Sequence, residues 1–152
     1  MTYDPLIGSF VWNFTKSSRA TKGKLAGTIH HQGYSEIKID GKLYRSARLA
    51  WLYMTGSFPD QDIDHKNKIK NDNRWENLRL ASDTQNMANR SKPKNNTSGV
   101  KGVYFDGKKY IAKIKINSRS IHLGRFISIE EAKNAYNTEA IKLFGEYASL
   151  NP

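Results

Sequence analysis

Cysteine is absent from this chain, so disulfide bonds and zinc sites built on thiolates are excluded. Only four histidines occur, and the spacing of His30, His31, His65 and His122 does not match a zinc finger. Any metal ion bound by this protein is therefore expected to be a hard cation with oxygen ligands.

Long hydrophobic runs are also missing. No run of about 18 apolar residues is present, and the N-terminus lacks the basic-then-apolar order of a signal peptide. We therefore expect neither membrane insertion nor secretion, and we predict a cytoplasmic protein.

Acidic residues are scarce compared with basic ones. The 152 residues include 25 Lys and Arg against 14 Asp and Glu, for a formal net charge of +11 and a pI of about 9.8. This excess suits a phosphate backbone or an anionic membrane surface, and it favours nucleic acid once membranes are set aside. The 38% hydrophobic content permits one ordinary domain or two small ones with modest cores.

Asparagine is concentrated in one polar segment, residues 64–89. Asn favours neither helix nor strand, and its amide tends to occur where it binds something, so this segment has the composition of a metal site. Within it, His65 follows Asp64 directly, which places a candidate general base beside a hard oxygen ligand. Three loop asparagines are interpreted as turn formers rather than ligands: Asn67, Asn71 and Asn73.

The pattern around this segment predicts a strand, a loop, a second strand and a helix. Ile63 lies in a short half-buried strand, residues 66–76 form a long loop, and Leu78–Leu80 form the second strand. Ser82 and Gln85 have the spacing of a capping box, which opens the helix.

Residues 1–45 are predicted to form short strands, two of them joined by a hairpin turn at Asp40-Gly41. Ser46 is predicted to cap a helix that runs to Thr55 and ends at Gly56 in the left-handed conformation.

A stretch without apolar residues, 91–98, predicts a linker that divides the chain. Beyond it, we predict a three-stranded antiparallel sheet with Tyr110–Ile116 as its middle strand, followed by one helix capped by Ser128. Alternation along the middle strand places Lys113 and Lys115 on a cationic face opposite an apolar one. That face is either a DNA-binding surface, since such ribbons fit the major groove, or the ordinary solvent-facing side of an antiparallel sheet.

The polar segment and its flank resemble the HNH endonuclease motif, in the variant whose last ligand is Asn rather than His. The matching residues are Asp64-His65, Asp72-Asn73-Arg74, Glu76-Asn77-Leu78-Arg79 and Gln85-Asn86, with Arg48-Leu49-Ala50-Trp51 and Thr55-Gly56 upstream. The resemblance implies a ββα-metal fold and hydrolysis of DNA phosphodiester bonds. Members of this group are often mobile, phage-borne or intron-borne homing endonucleases.

Taken residue by residue, the resemblance implies two catalytic residues, His65 as the general base and Asn77, which would orient the His65 imidazole. Asp64 and Asn86 would bind one divalent metal ion, Mg²⁺ or Mn²⁺, against the scissile phosphate. An Asn ligand in place of a second His favours a hard, weakly held ion over zinc.

Residues 99–152 resemble the plant ethylene-response-factor (APETALA-type) DNA-binding domain. The matching residues are Lys101-Gly102-Val103, Tyr110-Ile111-Ala112, Leu123-Gly124-Arg125-Phe126, Glu131-Ala132 and Ala135-Tyr136. The resemblance implies a DNA-facing sheet that carries Lys101, Tyr104, Lys113, Lys115, His122 and Arg125. In the nuclease part, Arg74 and Arg79 are expected either to contact DNA or to brace the loop by pairing with carboxylates.

These patterns together predict an α+β protein of two modules. An N-terminal HNH nuclease module with a small sheet spans residues 1–90, and after the linker an APETALA-type domain, a three-stranded sheet packed on one helix, spans 99–152. The expected partner is double-stranded DNA, and the choice between monomer and homodimer stays open. A non-catalytic DNA-binding regulator that retains the nuclease fold is the alternative function, and an RNA-binding protein is a third, because basic sheets also serve single strands.

Overall fold

The computed structural model describes all 152 residues, which form two compact units, Met1–Ala81 and Ser82–Pro152. The division precedes the predicted linker at 91–98, because the helix Asp83–Asn89 buries Ala88 in the core of the second unit. No helix combines the length and the apolar composition needed to cross a bilayer.

The first unit is built from short strands and one α-helix. Its strands form one sheet in the order β1-β2-β3, a second in the order β4-β5-β6, and the antiparallel pair β7-β8. Their bounds are β1 Thr2–Asp4, β2 Ser9–Val11, β3 Leu25–Ala26, β4 Thr28–Ile29, β5 Ser35–Ile39, β6 Lys42–Arg45, β7 Asp62–His65 and β8 Leu78–Ala81. The predicted turn between β5 and β6 is confirmed, since Asp40 and Gly41 have φ of +47° and +82°, as in a type I′ hairpin.

The helix α1, Ser46–Thr55, differs from its prediction at one end. Ser46 is the first helical residue rather than the cap, and its Oγ lies 2.7 Å from Ser35 Oγ on β5, so the hydroxyl is engaged across the core. Arg45 takes the cap position without a side-chain hydrogen bond to the helix. Gly56 ends the helix at φ +81°, which confirms the predicted left-handed cap.

A single hydrophobic core fills the first unit. Its buried members are Tyr3, Phe10, Trp12, Ile37, Ala47, Leu49, Ala50 and Leu78. Because Leu78 on β8 belongs to this cluster, the strand pair that carries Asp64 and His65 is anchored in the core.

The second unit packs two helices with one sheet. The sheet has the order β11-β10-β9, and all neighbours are antiparallel. The bounds are α2 Asp83–Asn89, β9 Val103–Phe105, β10 Tyr110–Ile116, β11 Arg119–Phe126 and α3 Ile129–Phe144. Both helices open with a full capping box, at Ser82 with Gln85 and at Ser128 with Glu131.

Candidate active site

Asp64 and Arg79 form a buried ion pair across β7 and β8. The two residues are directly opposite in the strand register, and Arg79 Nε and Nη2 lie 2.9 and 2.8 Å from Asp64 Oδ2. The side chains are only 10% (Arg79) and 6% (Asp64) exposed, so the pair is shielded from solvent. Arg79, for which DNA contact and bracing of the loop through a carboxylate were both predicted, is thus paired with a carboxylate, and that carboxylate is the predicted metal ligand.

His65 ends β7 and is buried. Its Nε2 lies 3.0 Å from Oδ1 of Asn73. The amide nitrogen of Asn73 donates to the Asn71 carbonyl at 3.4 Å, which supports this orientation of the amide. A carbonyl oxygen only accepts, so in the neutral imidazole Nε2 carries the proton and Nδ1 carries the lone pair that a general base needs.

Asn77 lies in the loop between the strands and does not take the predicted place on the imidazole. Its Oδ1 accepts from the Asn67 backbone N at 2.9 Å, and its Nδ2 donates to Asn67 Oδ1 at 3.0 Å and to the Asp72 carbonyl at 2.7 Å. The amide thus ties the two ends of the loop together. Asn73, which the sequence suggested was a turn former, makes the contact to His65 that was expected of Asn77.

Asp72 and Arg74 close the same loop. Arg74 Nε and Nη2 bind the two carboxylate oxygens at 2.8 and 2.7 Å, and Asn67 Nδ2 donates to Asp72 Oδ2 at 2.6 Å. The Arg74 hydrogen bond lowers the pKa of Asp72 to about 2, more than burial raises it. Arg74 also pairs with Glu76 at 3.1 Å, so this second predicted DNA contact is engaged with carboxylates too.

The lowered pKa of Asp72 gives a testable dependence of stability on pH. A carboxyl whose pKa is 3.8 unfolded and about 2 folded stabilises the fold fully above pH 3.8 and loses that contribution as the pH falls towards 2. We expect the urea midpoint of wild type to exceed that of Asp72→Asn at neutral pH and the gap to close at acid pH. All three tryptophans lie in the first unit, so their fluorescence reports it alone. A gap that stays constant down to about pH 2 would contradict the expectation.

Two cations lie against the ring of Tyr34, which is itself a neighbour of His65. The Tyr34 ring centroid is 6.2 Å from that of His65, and the Arg45 guanidinium carbon and Lys70 Nζ lie 4.1 and 4.8 Å from the Tyr34 ring centroid. Glu36 offsets part of this charge through Arg45 Nε at 3.3 Å. Sequence patterns did not identify this aromatic and basic cluster, because its members come from separate strands and a loop.

The donors available for a metal ion are oxygens. Asp64 supplies a buried carboxylate, and no three His, Cys, Asp or Glu side chains gather into a metal-holding group. Asn86, the other predicted ligand, is half-buried on α2 of the second unit. Carboxylate and amide oxygens are donors that suit Mg²⁺ or Mn²⁺ rather than zinc.

The sheet of the second unit exposes several predicted DNA contacts. Lys113, Lys115, Tyr104 and His122 are all exposed, and Lys113 Nζ lies 5.1 Å from the centre of the Tyr104 ring. Lys113 and His122 are neighbours in the register of β10 and β11. These four side chains therefore form one polar and basic surface.

The two other predicted DNA contacts of this unit are engaged within the protein. Lys101 Nζ donates to the backbone carbonyls of Ala88 and Arg90, at 2.6 and 2.5 Å, and so satisfies the C-terminal end of α2. Arg125 forms an ion pair with Asp106. The ammonium group of Lys101 therefore binds the carbonyls at the end of α2 instead of pointing into solvent, where it was expected to meet DNA.

The sequence was compared with protein families, with curated proteins and with solved structures. Residues 45–88 match the family model of the HNH endonucleases. The chain is 29% identical, over 147 residues, to an uncharacterized HNH endonuclease of Acanthamoeba polyphaga mimivirus, and the alignment covers 97% of this chain and 70% of that protein. No solved structure matches. The family match ends before residue 99, so the APETALA-type resemblance gains no support from it. Residues 45–88 are therefore similar to the HNH endonucleases, and most of the chain is similar to a viral protein of that description.

Proposed function

We propose that this protein is a metal-dependent, homing-type DNA endonuclease that hydrolyses phosphodiester bonds and leaves a 5′ phosphate and a 3′ hydroxyl. The observation that carries the proposal is the contact between His65 Nε2 and Asn73 Oδ1. It gives the buried imidazole of His65, which follows Asp64 in β7, one defined tautomer, as a general base for water requires.

In the proposed mechanism, Nδ1 of His65 accepts a proton from a water molecule, and the resulting hydroxide attacks the phosphorus. The bond from phosphorus to the 3′ oxygen breaks, and that oxygen leaves as the 3′ hydroxyl after it takes up a proton. Asp64 and Asn86 would hold one Mg²⁺ or Mn²⁺, an assignment for Asn86 that rests on the residue order of the motif. When bound, such an ion offsets the negative charge that develops on the phosphoryl and leaving oxygens.

In this mechanism, Arg79 and the amides of the loop hold the reacting side chains in position and do not take part in proton transfer. Arg79 holds Asp64 through Oδ2, and Asn77 fixes the loop from which Asn73 reaches the imidazole. Preorganisation of this kind counts in catalysis because it removes the need to order the groups during the reaction.

We further propose that the exposed surface of Lys113, Lys115, Tyr104 and His122 binds the DNA backbone and raises local affinity. Its exposure and its lack of acidic side chains support this role. Lysine grips phosphate as a point charge without the bidentate guanine contact of arginine, so the surface is expected to bind many sequences.

Metal removal tests the activity directly. Purified protein is expected to nick or linearise supercoiled plasmid with Mg²⁺ or Mn²⁺ and to lose that activity with EDTA, because no protein group replaces the charge of the ion. Readdition of the metal should restore cleavage. Protein that binds the plasmid in a gel shift but leaves it intact with either metal would instead be the non-catalytic regulator.

A further inference from the structure

The first residues of the chain form a hairpin that rests on the loop beside His65. This N-terminal hairpin, Thr2–Val11, consists of β1 and β2 with the turn between them. The backbone N of Trp75 donates to the Pro5 carbonyl at 2.9 Å. The Tyr3 hydroxyl donates to the Asn73 carbonyl at 2.5 Å, and both residues are buried.

The contact is too close to admit a side chain at the hairpin turn. A Cβ atom on Gly8 would lie 2.3 Å from the backbone N of Arg74 and 2.5 Å from the carbonyl carbon of Asn73. Gly8 also has φ +76°, a conformation that side chains disfavour. The backbone of the hairpin therefore lies directly against the backbone of the Asn73-Arg74 segment.

Tyr3 is held in place by its own surroundings. Its ring packs in the core with centroids 4.9 Å from Phe10 and 5.7 Å from Tyr53. Burial, with a smaller contribution from Asp4 and Asp72, raises the pKa of Tyr3 to about 12. The hydroxyl thus keeps its proton, and remains a donor, throughout the neutral and mildly alkaline range.

Asn73 is held both through its backbone and through its side chain. Its backbone carbonyl accepts from Tyr3, and its side-chain Oδ1 contacts Nε2 of His65 at 3.0 Å. A chain of two hydrogen bonds therefore links the phenol to the imidazole across 62 positions of sequence. We propose that Tyr3 is a positioning residue, through which the N-terminal hairpin fixes Asn73 and thereby the orientation and tautomer of the His65 ring. The catalytic consequence of this link rests on the proposed function, but the link itself does not.

The first test reads the tautomer without any cleavage. Tyr3→Phe removes the hydroxyl and keeps the packed ring, so the fold is expected to survive. In ¹⁵N spectra of the whole protein, the neutral form of wild-type His65 should carry its proton on Nε2. Tyr3→Phe should show a mixture of the two tautomers, whereas Tyr53→Phe, a neighbouring ring that is half exposed, should match wild type. A His65 spectrum that is unchanged in Tyr3→Phe overturns the proposal.

The second test follows plasmid cleavage. Tyr3→Phe is expected to lower kcat about tenfold at unchanged KM, because misplacement of a catalytic group slows chemistry without weakening DNA binding. Tyr53→Phe should leave both constants at wild-type values. The positioning role of Tyr3 is contradicted if kcat falls equally in the two variants. It is also contradicted if the fall in kcat only matches a fall in the fraction of folded protein. If wild type cleaves no DNA while the spectra still differ, the positioning role stands and the proposed function fails.

Discussion

Replacing His65 with alanine should lower kcat for plasmid cleavage by about 10²–10⁴-fold, the range in which general-base catalysis contributes. His65 is the only histidine in the polar segment of residues 64–89, and its ring is held by Asn73. DNA affinity should change little, because the lysine surface that we propose to bind DNA lies in the second unit. Initial rates of conversion of supercoiled plasmid, with metal in excess, measure the effect.

His31→Ala is the matched control for this variant. His31 belongs to the same unit but is exposed in the turn between β4 and β5, so its removal should leave the rate at the wild-type value. Cleavage by His65→Ala within about threefold of wild type would mean that another group activates water, since even the low end of the expected range is far larger.

Replacing Arg79 with leucine should lower the free energy of unfolding of the first unit by about 3–5 kcal/mol, because it leaves the Asp64 carboxylate buried without its cation. Removal of a mere phosphate contact would not destabilise the free protein. Urea unfolding followed by tryptophan fluorescence measures the change, since Trp12, Trp51 and Trp75 all lie in this unit.

Arg74→Leu provides the comparison for Arg79. The Arg74 side chain is 43% exposed, so loss of its ion pairs should cost much less stability than the loss of Arg79. The double variant Asp64→Leu with Arg79→Leu should regain part of the stability, because no uncompensated charge remains buried. If Arg79→Leu is as stable as Arg74→Leu, the ion pair does not hold the strand pair together.

The parts of the fold that were predicted from sequence are those specified by neighbouring residues. The turn at Asp40-Gly41 needs positive φ at both positions, and Gly56 and the capping boxes at Ser82 and Ser128 are local signals of the same kind. A local pattern leaves few alternatives, so these elements lie where they were expected.

The strands β1, β3 and β4 were not predicted individually. They have two or three residues each, too few to show alternation, and they form only because distant segments pair with them. The same limit applies to Ser46, whose hydroxyl bonds Ser35 instead of capping its helix.

In the candidate site, the spacing of residues in the sequence does not predict which asparagine contacts the histidine. Several asparagines fall within a few positions of one another, and any of them satisfies the chemistry of an amide that orients an imidazole. Only the path of the loop decides that Asn73 meets His65 while Asn77 ties the loop ends. Lys101 likewise has the charge of a DNA contact, yet its nitrogen meets carbonyls at the end of α2.

The hairpin at the start of the chain lies outside the residues that the family model matches, yet the loop beside His65 rests on it. A fragment cut at residue 45, where the family match begins, would keep every motif residue but lose the phenol and the glycine on which its central loop rests. A chimaera that carries residues 45–88 on another protein should therefore also include residues 2–11.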